Sequence, residues 1–253
     1  MSKVRKPLTV RPKLEAKVPQ TAMVMAAGKG TRMRPLTATR PKPLIEVAGT
    51  TLLDHVLDHL RVAGVSRIVV NVHYFADSLE AHLKSRARDL EVVISDERGE
   101  LLETGGGLIK AKDLLRDDPF LCVNTDNIWI DGPVDGIQLL ASHWDDSRMD
   151  ALMLLVPLAR AHNHAGRGDF QMDPWGRLSR RKPGKVAPYV WTGIQILSQR
   201  LLVDPPARVF STNVLWDRAI AAGRCFGVVH QGLWFDVGTP PAIPKTEAMI
   251  ADG

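Results

Sequence analysis

Short apolar runs alternate with amphipathic stretches through the first half of the chain. The run Ala22-Met23-Val24-Met25-Ala26-Ala27 is continuously apolar and ends in a glycine loop, which predicts a buried strand. Residues 51–63 place Leu52, Leu53, Val56, Leu57 and Leu60 on one helical face, and Gly64 supplies a natural C-terminal stop. The pattern then predicts a strand over Arg67–Val72, a helix near 75–88 and a strand over Glu91–Ser95. A further helix is predicted to open after Gly105, Gly106 and Gly107, followed by a buried strand over Phe120–Asn124. Strands alternating with helices of this length imply parallel βαβ units and a doubly wound sheet. Beyond residue 150 the pattern loosens. Ala151–Val156 reads as a strong strand, Asp169–Met172 and Val190–Leu197 as weaker ones, and Pro205-Pro206 as a turn. Residues 212–222 read as helix, Cys225–Val229 as strand and Thr239–Ala251 as a terminal helix. No internal repeat is visible, and no hexapeptide run of the kind that builds a left-handed β-helix.

Composition adds limits rather than a fold. The 253 residues are 45% hydrophobic and 24% charged, which suits one large α/β domain or two small ones. No apolar run approaches the roughly 18–20 residues that span a bilayer, so membrane insertion is not expected. The basic N-terminus lacks the apolar segment of a secretory signal. Cys122 and Cys225 both sit in apolar runs and read as buried thiols of a reducing compartment, so a cytoplasmic location is expected. The net charge of +5 invites a nucleic-acid reading, but its distribution argues otherwise. Residues 1–20 hold Lys3, Arg5, Lys6, Arg11, Lys13 and Lys17 against Glu15 alone, and the remaining chain carries 27 residues of each sign. The body is neutral. The tail is expected to be a disordered basic arm, and residues 21–253 the domain.

The loop Gly28-Lys29-Gly30-Thr31-Arg32-Met33-Arg34-Pro35 follows the first strand directly. Glycines there let backbone N–H groups approach a phosphate, and basic side chains add charge. It is not a Walker loop, because Gly-Lys-Ser/Thr is missing, nor a dinucleotide fingerprint, because Met33 holds the third glycine position. A plain strand-to-helix turn explains any isolated Gly-x-Gly. Two arginines, the prolines and Pro41-Lys42-Pro43 ten residues on shift the balance toward a phosphate site. Asp126 lies just past the carboxyl end of a predicted strand, where open α/β sheets place ligand-binding groups. Asp236 follows an aromatic run far along the chain. Magnesium accepts one or two carboxylates with phosphate oxygens and water, so this pair would serve it if the fold joins them. Residue chemistry alone leaves a turn aspartate and a helix cap equally open. Glu103 and Thr104, ahead of the glycines at 105–107, carry groups that can bond a base edge, with the glycines admitting a flat ring.

The string AAGKGTRMRPLT followed by PKPL resembles the signature of the sugar-1-phosphate nucleotidyltransferases, and the resemblance runs through residues 21–250. It implies an α/β, Rossmann-like fold of GT-A-like type with a mixed central sheet. A nucleotide-binding half would span about 21–127 and a sugar-binding half about 128–253. It further implies Mg²⁺ as cofactor, and an NTP and a sugar 1-phosphate as substrates. The nucleotide would lie on Ala26, Ala27, Gly28, Gly30, Thr31, Arg32, Lys42, Glu103, Thr104 and Gly106. Arg32, Lys42 and Asp126 would be catalytic, with Asp126 and Asp236 holding the metal. The sugar phosphate would meet Asn124, Gly168, Asp169, Arg181, Lys182, Thr192 and Gly193. The segments Leu102–Gly107 and Gly166–Phe170 are similar to those of bacterial muramate-type uridylyltransferases of cell-wall peptidoglycan recycling, which favours UTP and a UDP-sugar product. Many relatives carry a glutamate where this chain has Arg181, and an arginine there suits a substrate carboxylate, as Arg167 also would. A mannose- or heptose-1-phosphate guanylyltransferase, and a non-catalytic sugar-nucleotide sensor, stay open as alternatives, and so does a monomer or a dimer. His162 and His164 read as a loop pair rather than metal ligands, and Trp129, Trp175 and Trp191 as core or pocket wall.

Overall fold

The computed structural model describes Leu14 and residues 16–251. The expectation of a disordered arm therefore falls largely outside the described residues. Residues 16–20, assigned to that arm, lie against the body instead. Val18 is buried in the core, and the Gln20 carbonyl accepts from the amides of Ser66 and Arg67.

The first half runs β1 (Thr21–Met25), the short hairpin β2 (Glu46–Val47) and β3 (Thr50–Thr51), α1 (Leu52–Ala63), β4 (Arg67–Val72), α2 (Ala76–Arg86), β5 (Glu91–Asp96), α3 (Glu103–Ala111) and β6 (Phe120–Asn124). The second half continues with β7 (Asn127–Ile130), α4 (Gly136–Ser142), β8 (Ala151–Pro157), β9 (Ala161–His162), β10 (Phe170–Met172), β11 (Leu178–Arg180), β12 (Tyr189–Leu197), α5 (Asn213–Ala221), β13 (Cys225–Val229), β14 (Leu233–Asp236) and α6 (Ala242–Ala251). Nine strands form one mixed sheet with the path β11-β10-β12-β6-β1-β4-β5, and β8 joins β12 to β13. β6, β1, β4 and β5 are parallel, while β12 runs antiparallel to both β6 and β8.

Local signals explain much of this. α1 begins where the Thr51 hydroxyl accepts from the Asp54 amide at 3.0 Å, and ends at Gly64, whose φ of +87° is the left-handed conformation glycine tolerates. Its apolar stripe, from Leu52 to Leu60, is fully buried, each leucine contributing about 1.5–3 kcal/mol. Both cysteines are buried and free, and burial pushes each thiol up to about 12.

Two expectations need correction. α3 does not open after the glycines but contains them. A β-carbon on Gly105 would lie 2.5 Å from the Phe210 ring, and one on Gly106 would lie 2.3 Å from the Arg208 carbonyl. The missing side chains thus admit the 208–210 segment, not a flat ring. Trp175 is neither core nor pocket wall: it is 71% exposed at the tip of the β10–β11 turn. Trp129 is buried, and Trp191 lines a cavity. The β2–β3 hairpin, α4 and β11 went unanticipated, and so did a second, three-stranded sheet of order β7-β14-β9.

Candidate active site

The sheet's parallel strands end at one rim, and a cleft of about 310 Å³ opens there. Ala26, Ala27 and Gly28 leave β1 along its floor, Glu103 and Thr104 line one side, and Lys42, Asn124 and Asp126 line the other. The loop is braced from below. The Ala26 amide donates to Asn71 Oδ1 at 2.7 Å, Asn71 Nδ2 donates to Glu97 Oε1 at 2.8 Å, and Glu97 Oε2 accepts from the Leu102 amide at 3.1 Å. One buried pair thereby couples the glycine loop to the Glu103 loop. Asn71 was missed from sequence, although a polar residue at the carboxyl end of a fully buried strand was the available signal.

Gly30 has φ +60°, and a β-carbon there would meet Thr37 at 2.8 Å and Lys42 at 3.0 Å. Its conformation folds the loop onto the PKPL segment. Thr37 Oγ1 donates to the Gly30 carbonyl at 2.8 Å, closing that fold. Thr31 and Arg32 stay exposed on the following turn. Glu103 sits at φ +62°, a conformation uncommon for a non-glycine residue, in the wall of the cleft. Thr104 Oγ1 accepts from the Thr212 amide at 2.9 Å, which ties this wall to α5.

The two aspartates are joined by the unanticipated small sheet. β14 pairs antiparallel with β7, setting Asp236 opposite Asn127, and the Val237 amide donates to the Asp126 carbonyl at 3.1 Å. Lys42 Nζ lies 3.2 Å from Asp126 Oδ2, and Asn127 Nδ2 donates to Asp126 Oδ1 at 3.1 Å. A β-carbon on Gly238 would be 2.8 Å from Asp236 Oδ1 and 3.2 Å from Arg32 Nη1, so Arg32 and Asp236 share this corner. Burial alone would raise the Asp236 carboxyl, but the His164 ring and the charges of Lys42 and Arg32 outweigh it and hold the group below the usual carboxylate range. His164 Nδ1 stands 3.9 Å from Asp236 Oδ2, an electrostatic contact longer than a hydrogen bond. His162 instead stacks on Phe235 at 5.2 Å. Among the described residues no group of three or more His, Cys, Asp or Glu side chains is placed to hold a metal ion.

The remaining expected residues scatter around this centre. Asn124 and Asp169 line a neighbouring cavity, and Asp169 Oδ2 accepts from the Trp191 amide at 3.0 Å. Gly193, at φ +90°, lets β12 pass Asn127, whose Nδ2 would be 2.4 Å from a β-carbon. Thr192 is buried and donates to the Leu154 carbonyl at 2.8 Å, away from the cleft. Gly168, at φ +77°, lies against the Ala187 carbonyl. Lys182 is exposed in the adjoining loop. Arg181 donates from Nε to the Gly168 carbonyl at 2.9 Å and from Nη1 to the Lys185 carbonyl at 3.2 Å, so its guanidinium fastens that loop.

A glycine loop and a lysine paired with Asp126 at the rim of a mixed α/β sheet, with Asp236 on the adjoining strand, fit an enzyme of the nucleotidyl transferase family, whose pattern matches residues 21–177, and the chain belongs to that family. It is 44% identical over 240 residues to the N-acetylmuramate alpha-1-phosphate uridylyltransferase of Caulobacter vibrioides, covering 94% of this chain and 99% of that protein. The protein of the same name from Neisseria meningitidis serogroup B is 32% identical, covering 90% and 97%. The crystal structure of HddC from Yersinia pseudotuberculosis superposes with a TM-score of 0.73 at 22% identity, covering 91% of this chain and 99% of that one, a likeness of fold. Among the described residues no helix is long and apolar enough to cross a membrane.

Proposed function

We propose that the protein transfers a uridylyl group from UTP to N-acetylmuramate 1-phosphate, giving UDP-N-acetylmuramate and pyrophosphate in the cytoplasm, as a step of cell-wall recycling. The observation that carries the chemistry is the meeting of Lys42, Asp126 and Asp236 beside the glycine loop. The likeness to the Caulobacter protein, across nearly the full length of both chains, supports the substrates.

The donor set suits Mg²⁺. Asp126, just ahead of β7, and Asp236, at the end of the β14 strand paired with it, offer hard oxygen donors, both partly exposed, and the depressed Asp236 carboxyl keeps its charge at neutral pH. Phosphate oxygens and water would complete the shell. Bound there, the cation would neutralise charge on the phosphates and orient them. The protein's own groups do the rest. Backbone amides of the glycine loop hold the triphosphate, and Arg32 offsets charge accumulating on the leaving pyrophosphate. Lys42, held by Asp126, bridges nucleotide and sugar phosphate. An oxygen of the sugar phosphate attacks the α-phosphorus in line. The bond from that phosphorus to the α–β bridging oxygen breaks, and pyrophosphate leaves with the electron pair. No covalent enzyme intermediate is required, so rate enhancement comes from positioning and charge stabilisation.

The test is pyrophosphate release with Mg²⁺ across the five common NTPs. Each is paired with N-acetylmuramate, N-acetylglucosamine, glucose or mannose 1-phosphate. Preferred turnover of UTP with the muramate phosphate supports the proposal. Turnover led by GTP and mannose phosphate would keep the class and overturn the specificity.

A further inference from the structure

Beside the nucleotide cleft, and sharing Met25, Thr104 and Asn124 with it, lies a second cavity of about 300 Å³. Arg180 is the one basic side chain among its described lining residues. Its guanidinium is fixed from several directions. Nε donates to Asp217 Oδ1 at 2.7 Å and Nη2 to the Asn213 carbonyl at 3.0 Å, while the group lies 5.1 Å from the Phe170 ring centre and 5.3 Å from that of Trp216. Trp216 is pinned in turn, its indole N–H donating to Gln195 Oε1 at 2.8 Å. Nη1 of Arg180 donates to no described group.

We infer that Arg180, not its neighbour Arg181, selects an acceptor sugar that carries a carboxylate. The inference rests on the proposed function and adds the residue that reads the lactyl acid. Each guanidinium bonds through two of its nitrogens, but Arg181 uses them to fasten its own loop to the carbonyls of Gly168 and Lys185 and lines neither cavity, whereas Arg180 lines the cavity next to the reaction centre with Nη1 unbonded to any described group. An aromatic-backed arginine held in one orientation loses little freedom when it binds a carboxylate, and its charge-assisted hydrogen bond strengthens away from water. Two carboxylates oppose the arrangement, and neither cancels it. Asp217 is 60% exposed, so water screens its charge. Asp169, within the cavity, accepts from the Trp191 amide. A neutral sugar of the same ring gains nothing from Nη1 beyond an ordinary hydrogen bond.

The experiment compares wild type, Arg180→Gln, Arg180→Lys and Arg181→Gln with UTP saturating. The acceptors are N-acetylmuramate 1-phosphate and N-acetylglucosamine 1-phosphate, which lacks only the lactyl acid. Arg180→Gln is expected to lower kcat/KM for the muramate phosphate about ten- to a hundredfold more than for the glucosamine phosphate, chiefly through KM. Arg180→Lys should recover part of the preference, and Arg181→Gln should keep it. Equal losses on both acceptors in Arg180→Gln would mark a structural role and overturn the inference, as would a preference that survives there or is lost instead in Arg181→Gln. A wild-type enzyme without preference for the carboxylated sugar would overturn the parent proposal as well, so the two failures are distinguishable.

Discussion

Replacing Lys42 with glutamine removes the positive charge that pairs with Asp126 and also acts on Asp236. At 3.2 Å from Asp126 Oδ2, the gross attraction is about 5 kcal/mol at an effective dielectric near 20. Little of this reaches stability, because both groups were hydrated in the unfolded chain and Asp126 remains 33% exposed. A pair of this kind contributes about 0–1 kcal/mol net, which is roughly 0–4 °C in Tm for a chain of this size. Catalysis should respond far more strongly. Removing one preorganised group that stabilises transition-state charge costs about 2.7–4 kcal/mol, or a hundred- to a thousandfold in kcat. The assay is steady-state pyrophosphate release with both substrates saturating, run alongside thermal melting. A folded Lys42→Gln protein with kcat within threefold of wild type would refute the role assigned to the charge. A fall in Tm above 10 °C would show that the pair is chiefly structural.

Other outcomes follow from the packing and the titrating groups. Gly105→Ala should cost about 1–3 kcal/mol, roughly 2–12 °C in Tm by calorimetry, because its β-carbon meets the Phe210 ring and carbonyl; an unchanged Tm would contradict that close approach. Both cysteines should resist a thiol reagent at pH 8 in the native protein and react on unfolding, since burial holds each thiol near 12; native labelling within minutes would count against it. Burial lowers the His230 imidazole against the opposing pull of Asp131. A depressed folded value contributes stability that is intact above the ordinary histidine range near 6.5 and declines as the pH falls below it. Tm should therefore fall between pH 7.5 and 5.5, and His230→Gln should flatten that dependence when the two melting series are compared.

The parts of this molecule legible in its sequence are those specified locally. α1 could be bounded because Thr51, the leucine stripe and Gly64 lie within one short window. The glycine loop could be assigned because its chemistry is contiguous with β1. Long-range pairing was not legible. β7 and β14 lie about a hundred residues apart and are short, so nothing near either reveals that their pairing joins the two aspartates. The glycines of α3 misled for a related reason. Glycine is a poor helix former, so a helix after them was the natural expectation, yet close contact with residues 208–210 overrides propensity. Arg181 was singled out from the sequence and its neighbour Arg180 passed over. The end of β11 and the turn of the following loop decide which of them reaches the cavity.

The central claim is that an oxygen of the sugar phosphate attacks the α-phosphorus of UTP in the cleft bounded by the glycine loop, Lys42 and Asp126. N-acetylmuramate 1-phosphate carrying ¹⁸O in its phosphoryl oxygens, incubated with UTP, Mg²⁺ and the protein, tests this by mass spectrometry of both products. The account predicts that all the label stays in UDP-N-acetylmuramate and that the pyrophosphate is unlabelled. Label in the pyrophosphate, or no nucleotide sugar while UTP is consumed, would contradict it.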